Sequence, residues 1–224
     1  MIDKYGRIGI AGRSQSGKSS FLDRMLRPHK RVVLFDTNDE RAPVAKKEGF
    51  KRVSSIMELQ ERIDRKYAKG FKLWYLPEDE PDDIQALHNL SLALWNIQSE
   101  EGSARGSQNR PDIVFAVDEM ADCFPNHHMK KDQDHFSLMC RRGRHKGIHL
   151  IGATQRFAEV STKFRGQLNK RFLFNLTEPA DLDVVRKLGG EHGKQLVQEV
   201  LNLPALHYIK MENNTFTDGK VTFD

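Results

Sequence analysis

The sequence predicts an α/β fold of three layers: a mostly parallel β-sheet flanked by helices on both faces, with a C-terminal β-hairpin. Three observations predict it. Short apolar, β-branched runs alternate with segments of helical spacing, the pattern of crossover units that build a parallel sheet. The first run leads into a glycine-bearing loop and then a helix. A later run, residues 113–117, is apolar at every position, as a strand buried on both faces must be, and ends in two carboxylates.

Residues 8–11 are the first strand, and the helix over 19–26 that follows the glycine loop is closed by Pro28. Residues 31–35 are β-branched and apolar, and 50–53 form a weaker strand. Helical spacing over 56–66 precedes a strand at 71–76 that stops at Pro77. The helix over 82–97 is capped by Asp82 and carries Ile84, Leu87, Leu90, Leu94 and Ile97 on its apolar face. Residues 98–109, rich in Ser, Gly and charge, read as a loop. After the 113–117 strand come a helix at 132–144, a strand at 148–153, a short helix at 162–169 and a strand at 171–176. Helices at 182–188 and 193–201 follow, then a hairpin pairing 205–209 with 220–223. A length of 224 residues suits one domain over 1–224 and is short for two.

Hydrophobic residues make up 38% and charged residues 30%, which excludes a disordered chain. No apolar run is long enough to span a membrane, and Asp3, Lys4 and Arg7 interrupt any secretory apolar segment. Two cysteines, Cys123 and Cys140, are too few for a disulfide framework and suit a reducing compartment. Cys123 with His127, His128 and His135 lacks the paired spacing of a zinc site. A net charge of +5 and a pI near 9.2 favour a polyanionic partner.

The most specific stretch is Gly12-Arg13-Ser14-Gln15-Ser16-Gly17-Lys18-Ser19, which fits the phosphate-loop pattern of Gly, four residues, Gly, Lys, Ser. Glycines let the backbone wrap a polyphosphate closely. Successive N–H groups then form an anion nest at the positive end of the following helix. The candidate ATP-binding residues are therefore Gly12, Arg13, Ser14, Gln15, Ser16, Gly17, Lys18, Ser19 and Ser20. Lys18 is placed to reach the β- and γ-phosphates, and the Ser19 hydroxyl to hold Mg²⁺.

The second half of the site is Asp118-Glu119, which the buried strand delivers to the sheet edge beside the loop. Asp118 is placed in the Mg²⁺ shell, and Glu119 is the candidate general base for an attacking water. Adjacent carboxylates are costly unless a cation or proton compensates. Gln155, after the strand at 148–153, is placed to hydrogen-bond the γ-phosphate or the water. The block Cys140-Arg141-Arg142-Gly143-Arg144-His145-Lys146-Gly147 reads either as a solvated helix end favourable to the dipole or as a cation reaching a neighbouring subunit's nucleotide.

Phosphate loop, carboxylate pair, basic block and glutamine, in that order, resemble the FtsK-HerA superfamily of DNA-pumping P-loop NTPases, which are of the ASCE/RecA-like type. The closest local likeness is Arg144-His-Lys-Gly-Ile-His-Leu-Ile-Gly-Ala-Thr-Gln155-Arg156. Residues 160–188, with Asn169, Arg171 and Asp181/Asp183, are also similar, so the likeness runs from Ile8 to about Gly190. The resemblance implies that Lys18 and Ser19 bind phosphate and Mg²⁺. Asp118 and Glu119 become the metal-associated and catalytic carboxylates, and Gln155 the sensor. Arg144 becomes the trans-acting arginine finger, with Arg141 a second candidate. It also implies a ring, typically a hexamer, around double-stranded DNA. A compact member without the anchor and accessory domains of larger ones is expected, and Phe157 stands where the family usually has Pro. It is most similar to the small packaging ATPases of membrane-containing icosahedral viruses of the tectivirus type and of archaea. That likeness implies host cytoplasm or a packaging vertex as location, and a capsid-vertex or membrane-associated packaging protein as a further partner.

Two loops are candidates for DNA contact: one carrying Arg105 and Arg110, the other Lys130 and Lys131 with His127 and His128. Such phosphate contacts would be sequence-independent and salt-sensitive. The alternatives are a conjugation or filamentous-phage secretion ATPase of the same superfamily, and a small P-loop kinase, which needs an acceptor pocket and no Gln155.

Overall fold

The computed structural model describes residues 6–38, 46–78, 80–99, 111–127 and 133–222. The strands are β1 (Arg7–Ala11), β2 (Arg31–Asp36), β3 (Lys51–Val53), β4 (Phe71–Tyr75), β5 (Ile113–Asp118), β6 (Ile148–Thr154), β7 (Lys170–Leu173), β8 (His207–Glu212) and β9 (Thr215–Lys220). The helices are α1 (Lys18–Leu26), α2 (Ile56–Lys66), α3 (Asp83–Ile97), α4 (Met120–Cys123), α5 (His135–Arg142), α6 (Thr162–Arg165), α7 (Pro179–Leu188) and α8 (Gly193–Leu201). The strands form one sheet in the order β3-β4-β2-β5-β6-β1-β7-β8-β9. Every neighbouring pair from β3 to β7 is parallel. Only β8 and β9 run antiparallel to their neighbours.

Period-two alternation within the strands splits the core into two layers. Val33, Phe35, Phe115, Val117 and Leu150 face one side, where α2, α3, α5 and α8 among others bury Ile63, Leu90, Phe136 and Val200. Ile8, Ile10, Val32, Leu34, Val114 and Ile151 face the other, against Phe21, Leu22 and Leu26 of α1. The flanking layers are thus unequal: among the described residues α1 is the one named helix on its face.

Most expected elements lie within a residue or two of their predicted bounds. Asp82 caps α3, its carboxylate accepting from Gln85 N–H at 2.7 Å. Four readings are corrected. The helix expected to reach Arg144 stops at Arg142 and tightens into a 3-10 turn over Gly143–Lys146, because Gly147 (φ 67) leaves the right-handed region there. The short helix expected over 162–169 ends at Arg165, and the next strand covers Lys170–Leu173. Helix α7 starts earlier than expected, with Pro179 in its first turn. The hairpin turns at Asn213 (φ 50) and Asn214 (φ 60), residues that tolerate the left-handed conformation a tight two-residue turn demands. Its second strand is therefore Thr215–Lys220, whose exposed, polar positions give no apolar run to read.

β6 lies between β1 and β5, with Ala11 in register with Thr154 and Val117 with Gly152. This topology brings the loop after β1, the carboxylates ending β5 and the residues after β6 to one sheet edge. Gly152 makes the arrangement tight: a Cβ there would lie 2.5 Å from Met120 Cε and 2.7 Å from Phe164 Cζ. The methionine end can give, but the phenyl ring is fully buried. Gly152→Ala is expected to destabilise the fold by about 1–3 kcal/mol, read from the midpoint of chemical unfolding. An unchanged midpoint would show that the ring relocates freely.

Candidate active site

The phosphate loop is fastened at three points. Gly12 N–H donates to Thr154 O (3.2 Å), Arg13 N–H to Asn175 O (2.8 Å), and Leu206 N–H to Ser16 O (2.9 Å). Gly12 has no room for a side chain, since a Cβ would meet Phe174 Cβ at 2.5 Å. Gly17 (φ 105) caps α1 in the left-handed region, where a Cβ would also meet Leu206 Cδ2 at 2.8 Å. The amides of Gly12 and Arg13 therefore hold the loop to the scaffold and do not line its interior, a refinement of the nest expected from sequence. Those of Ser14, Gln15 and Gly17 have no acceptor among the described residues. The first turn of α1 carries no acidic residue and no side-chain cap, so its positive end is available to an anion. Ser16 Oγ is buried and lacks a hydrogen-bond partner. Lys18, 7% exposed, folds its ammonium back onto Arg13 O at 3.0 Å. These unspent donors and a cation beside the loop fit a polyphosphate.

Glu119 follows β5 directly and sits at φ 57, ψ 67, a left-handed conformation that costs a non-glycine residue about 1–2 kcal/mol. Its carboxylate lies against the end of β6. Thr154 Oγ1 donates to Oε1 at 2.7 Å, and Gln155 N–H donates to both carboxylate oxygens at 3.1 Å. Burial raises its pKa, and Asp122 adds to the rise. The bonds from Thr154 and Gln155, with the Lys18 charge, oppose it. A carboxylate so poised accepts a proton more readily than an ordinary one. With β6 between β1 and β5, the loop that carries Lys18 and the turn that carries Glu119, a hundred residues apart in sequence, lie at the same end of the sheet. Asp118 is half-buried and in register with Asp36, the buried last residue of β2.

Gln155 is exposed at the end of β6. Behind it, Arg156 N–H donates to Thr154 Oγ1 at 3.1 Å, and the Arg156 guanidinium pairs with Glu159 at 3.0 Å and approaches Asp181 at 3.6 Å. Asp181 is fully buried and accepts from Ala158 N–H at 2.7 Å. Helix α7 thus braces the segment that carries Gln155.

Arg141 and Arg144 are not brought into this site. Both are exposed and precede β6, while Gln155 follows it. The seven-residue strand separates them by about 20 Å. The Arg141 guanidinium donates to Ser137 O in its own helix. Arg105, Arg110, Lys130 and Lys131 lie outside the described residues.

Four participants were missed in the sequence. Asp36 carried the same signal as Asp118, a carboxylate ending an apolar strand. Thr154 lies within the stretch from Arg144 to Arg156, where nothing in the sequence assigns it a role. Asp181 had no local signal for a contact with Arg156. Leu206 (φ 68), bonded to the phosphate loop from 190 residues away, had none either.

No family model and no curated protein matches the chain. Among solved structures it is similar to the genome packaging NTPase B204 from Sulfolobus turreted icosahedral virus 2 in complex with ATP-gammaS. The TM-score is 0.72 at 18% identity, over 98% of each chain. VirB4 of Thermoanaerobacter pseudethanolicus matches with a TM-score of 0.66 at 11% identity, over 97% of this chain and 90% of the other. EssC (ATPases 2 and 3) from Geobacillus thermodenitrificans matches with 0.56 at 14% identity, over 95% of this chain and 39% of the other. The likeness is one of fold.

The raised pKa of Glu119 has a sign that can be checked. At low pH, folded and unfolded chains both hold the proton and the group has no effect. As pH rises, the unfolded chain ionises first, so stability falls until the folded-state pKa is passed and is then penalised by a constant amount. Glu119→Gln, which keeps an acceptor for Thr154, is expected to raise the Tm of the nucleotide-free protein at neutral pH. The gain should vanish below about pH 4. A variant less stable than wild type at neutral pH would contradict this.

Proposed function

We propose that the chain is an Mg²⁺-dependent ATPase that translocates double-stranded DNA, in genome packaging, as a ring in which each site is completed by a neighbour. The observation that carries the reading is the division of the motifs between two ends of one strand. Lys18, Asp118, Glu119 and Gln155 gather at the C-terminal end of β6, and Arg144 stands about 20 Å away at the other. That Arg144 cannot reach its own site supports its serving a neighbour's.

Lys18 binds the β- and γ-phosphates, with the free loop amides around it. Ser19 and Asp118 supply the oxygen ligands that suit Mg²⁺, which when bound neutralises charge developing on the phosphates. Glu119 takes the proton of the attacking water. Gln155 orients that water or the γ-phosphate, so cleavage is felt by the segment braced on Asp181. Arg144 of the adjacent subunit stabilises the transition-state charge. The match over nearly the whole length of a packaging NTPase supports packaging, and the net charge of +5 supports a polyanionic cargo. The fold shared with VirB4 and EssC supports a secretion-type ATPase as the second reading.

The test is ATP hydrolysis with and without duplex DNA. Wild type should be stimulated by DNA. Lys18→Ala and Arg144→Ala are expected to lose about 10²-fold and about 10³-fold in kcat. Mixing Arg144→Ala with Glu119→Gln subunits should recover activity, because some interfaces then carry both an intact Glu119 and an intact Arg144. Co-assembled mixtures that stay inactive would remove Arg144 from the role. Hydrolysis indifferent to DNA, with phosphoryl transfer to a small acceptor, would replace the translocase with a kinase.

A further inference from the structure

At the opposite end of the sheet, where the parallel strands begin, a groove of about 430 Å³ opens beside β3 and β4. One wall is the last turns of α2. Arg62, Arg65, Lys66 and Lys69 stand at i, i+3, i+4 and i+7, one continuous stripe, and the helical turn extends to Gly70 N–H, which donates to Lys66 O at 2.8 Å. Lys30, Lys51 and Lys72 line the rest, and among the described residues no carboxylate does. The groove is pinned by Gly70 (φ 105), where a Cβ would meet Lys30 O at 2.7 Å.

Of these seven cations, Arg62 and Arg65 pair with Glu58 and Glu61 along the helix. Lys72 donates to Arg27 O and lies 5.6 Å from the centre of the Phe50 ring. Glu48, the acid that bears on Lys72, is already paired with Arg27. The ammonium groups of Lys30, Lys51, Lys66 and Lys69 have no partner among the described residues, and all four residues are exposed. Among the described residues, five positive charges in one groove are left without a carboxylate, as many as the net charge of the whole chain. Complementing the C-terminal dipole of α2 accounts for about half a charge. Like charges held this close repel, and an anion is what relieves them.

We infer that this groove binds the phosphodiester backbone of duplex DNA. The inference rests on the translocase reading and adds a contact distinct from the two loops expected from sequence. Its geometry suits a backbone. The stripe from Arg62 to Lys69 spans about 10 Å, and a DNA strand presents a phosphate every 3.4 Å or so along the axis. About three phosphates therefore meet the stripe, with Lys51 and Lys30 also lining the groove. Mobile lysine heads give charge without a base-reading fork, so binding is independent of sequence. At the sheet end away from the phosphate loop, the groove holds DNA without obstructing the nucleotide.

The experiment measures fluorescence anisotropy of a labelled duplex on the full chain across a salt series, together with ATP hydrolysis. Wild type is compared with Lys51→Glu/Lys66→Glu/Lys69→Glu and with a control of equal charge change, Arg186→Glu/Lys187→Glu/Lys194→Glu on exposed positions of α7 and α8. The groove variant should bind at least about tenfold more weakly than the control. The slope of log K against log salt should fall by about two to three. Hydrolysis without DNA should be unchanged in both. Groove and control variants that bind alike would overturn the groove while leaving the translocase intact. Wild type that neither binds duplex nor is stimulated by it would overturn the translocase reading, and this inference with it. Unchanged DNA binding with lost binding of poly-glutamate would overturn the inference in favour of an acidic protein partner.

Discussion

Thr154 is the joint on which the site depends. Its carbonyl accepts the amide of Gly12, its hydroxyl donates to Glu119, and the same hydroxyl accepts from the amide of Arg156. One residue at the end of β6 thereby ties the phosphate loop, the candidate base and the segment after Gln155. This is possible only because β6 is inserted between β1 and β5. Were the two motif strands direct neighbours, Glu119 would face the loop with no third strand to hold it.

The strain around that joint is local and offset by hydrogen bonds. Glu119 and Leu206 both occupy left-handed conformations without being glycine, and in both the payment in backbone energy coincides with a fixed contact. The turn at Glu119 sends its carboxylate to Thr154 and Gln155. That at Leu206 coincides with its amide donating to Ser16 and its carbonyl accepting from Val221. Asn175 extends the second bracket, donating to the carbonyls of Val200 and Leu201 while its own carbonyl accepts from Arg13. The phosphate loop is thus held from both sides, by β6 and by the segment that enters the C-terminal hairpin.

How much of this was legible in the sequence follows from how local each signal is. The parallel core could be read because strands buried on both faces are apolar throughout, and the loop because its glycines and lysine are fixed in spacing. The extent of β9 was not, since an edge strand of exposed polar residues carries no alternation, and the Asn213-Asn214 turn was the one local cue. Asp36 shows a different failure. Its signal was present, but its position beside Asp118 depends on strand order, which spacing does not encode. The bracing of Arg156 by Asp181 depends on a helix packing across 25 residues, and the fastening of Ser16 by Leu206 on a contact across the whole chain.

Charge explains why a site so complete in its own residues still points outward. Asp36, Asp118 and Glu119 gather at one sheet edge, with Lys18 and the exposed Arg13 as the cations of the loop. A triphosphate added there brings further negative charge, and the positive end of α1 offsets about half a unit. A divalent cation held by Ser19 and Asp118, as proposed above, would supply part of the balance. In the proposed reaction charge grows on the γ-phosphate oxygens, at the open side of the site next to exposed Gln155, where the adjacent Arg156 is already held by Glu159 and Asp181. Arg141 and Arg144 precede β6, at the far end of the sheet, so in the proposed ring it is a neighbouring copy that would bring such a cation to the opening. The polarity of β6, candidate site at one end and arginines at the other, is what a head-to-tail contact between copies would need, and the ring proposed above is the closed form of such a contact.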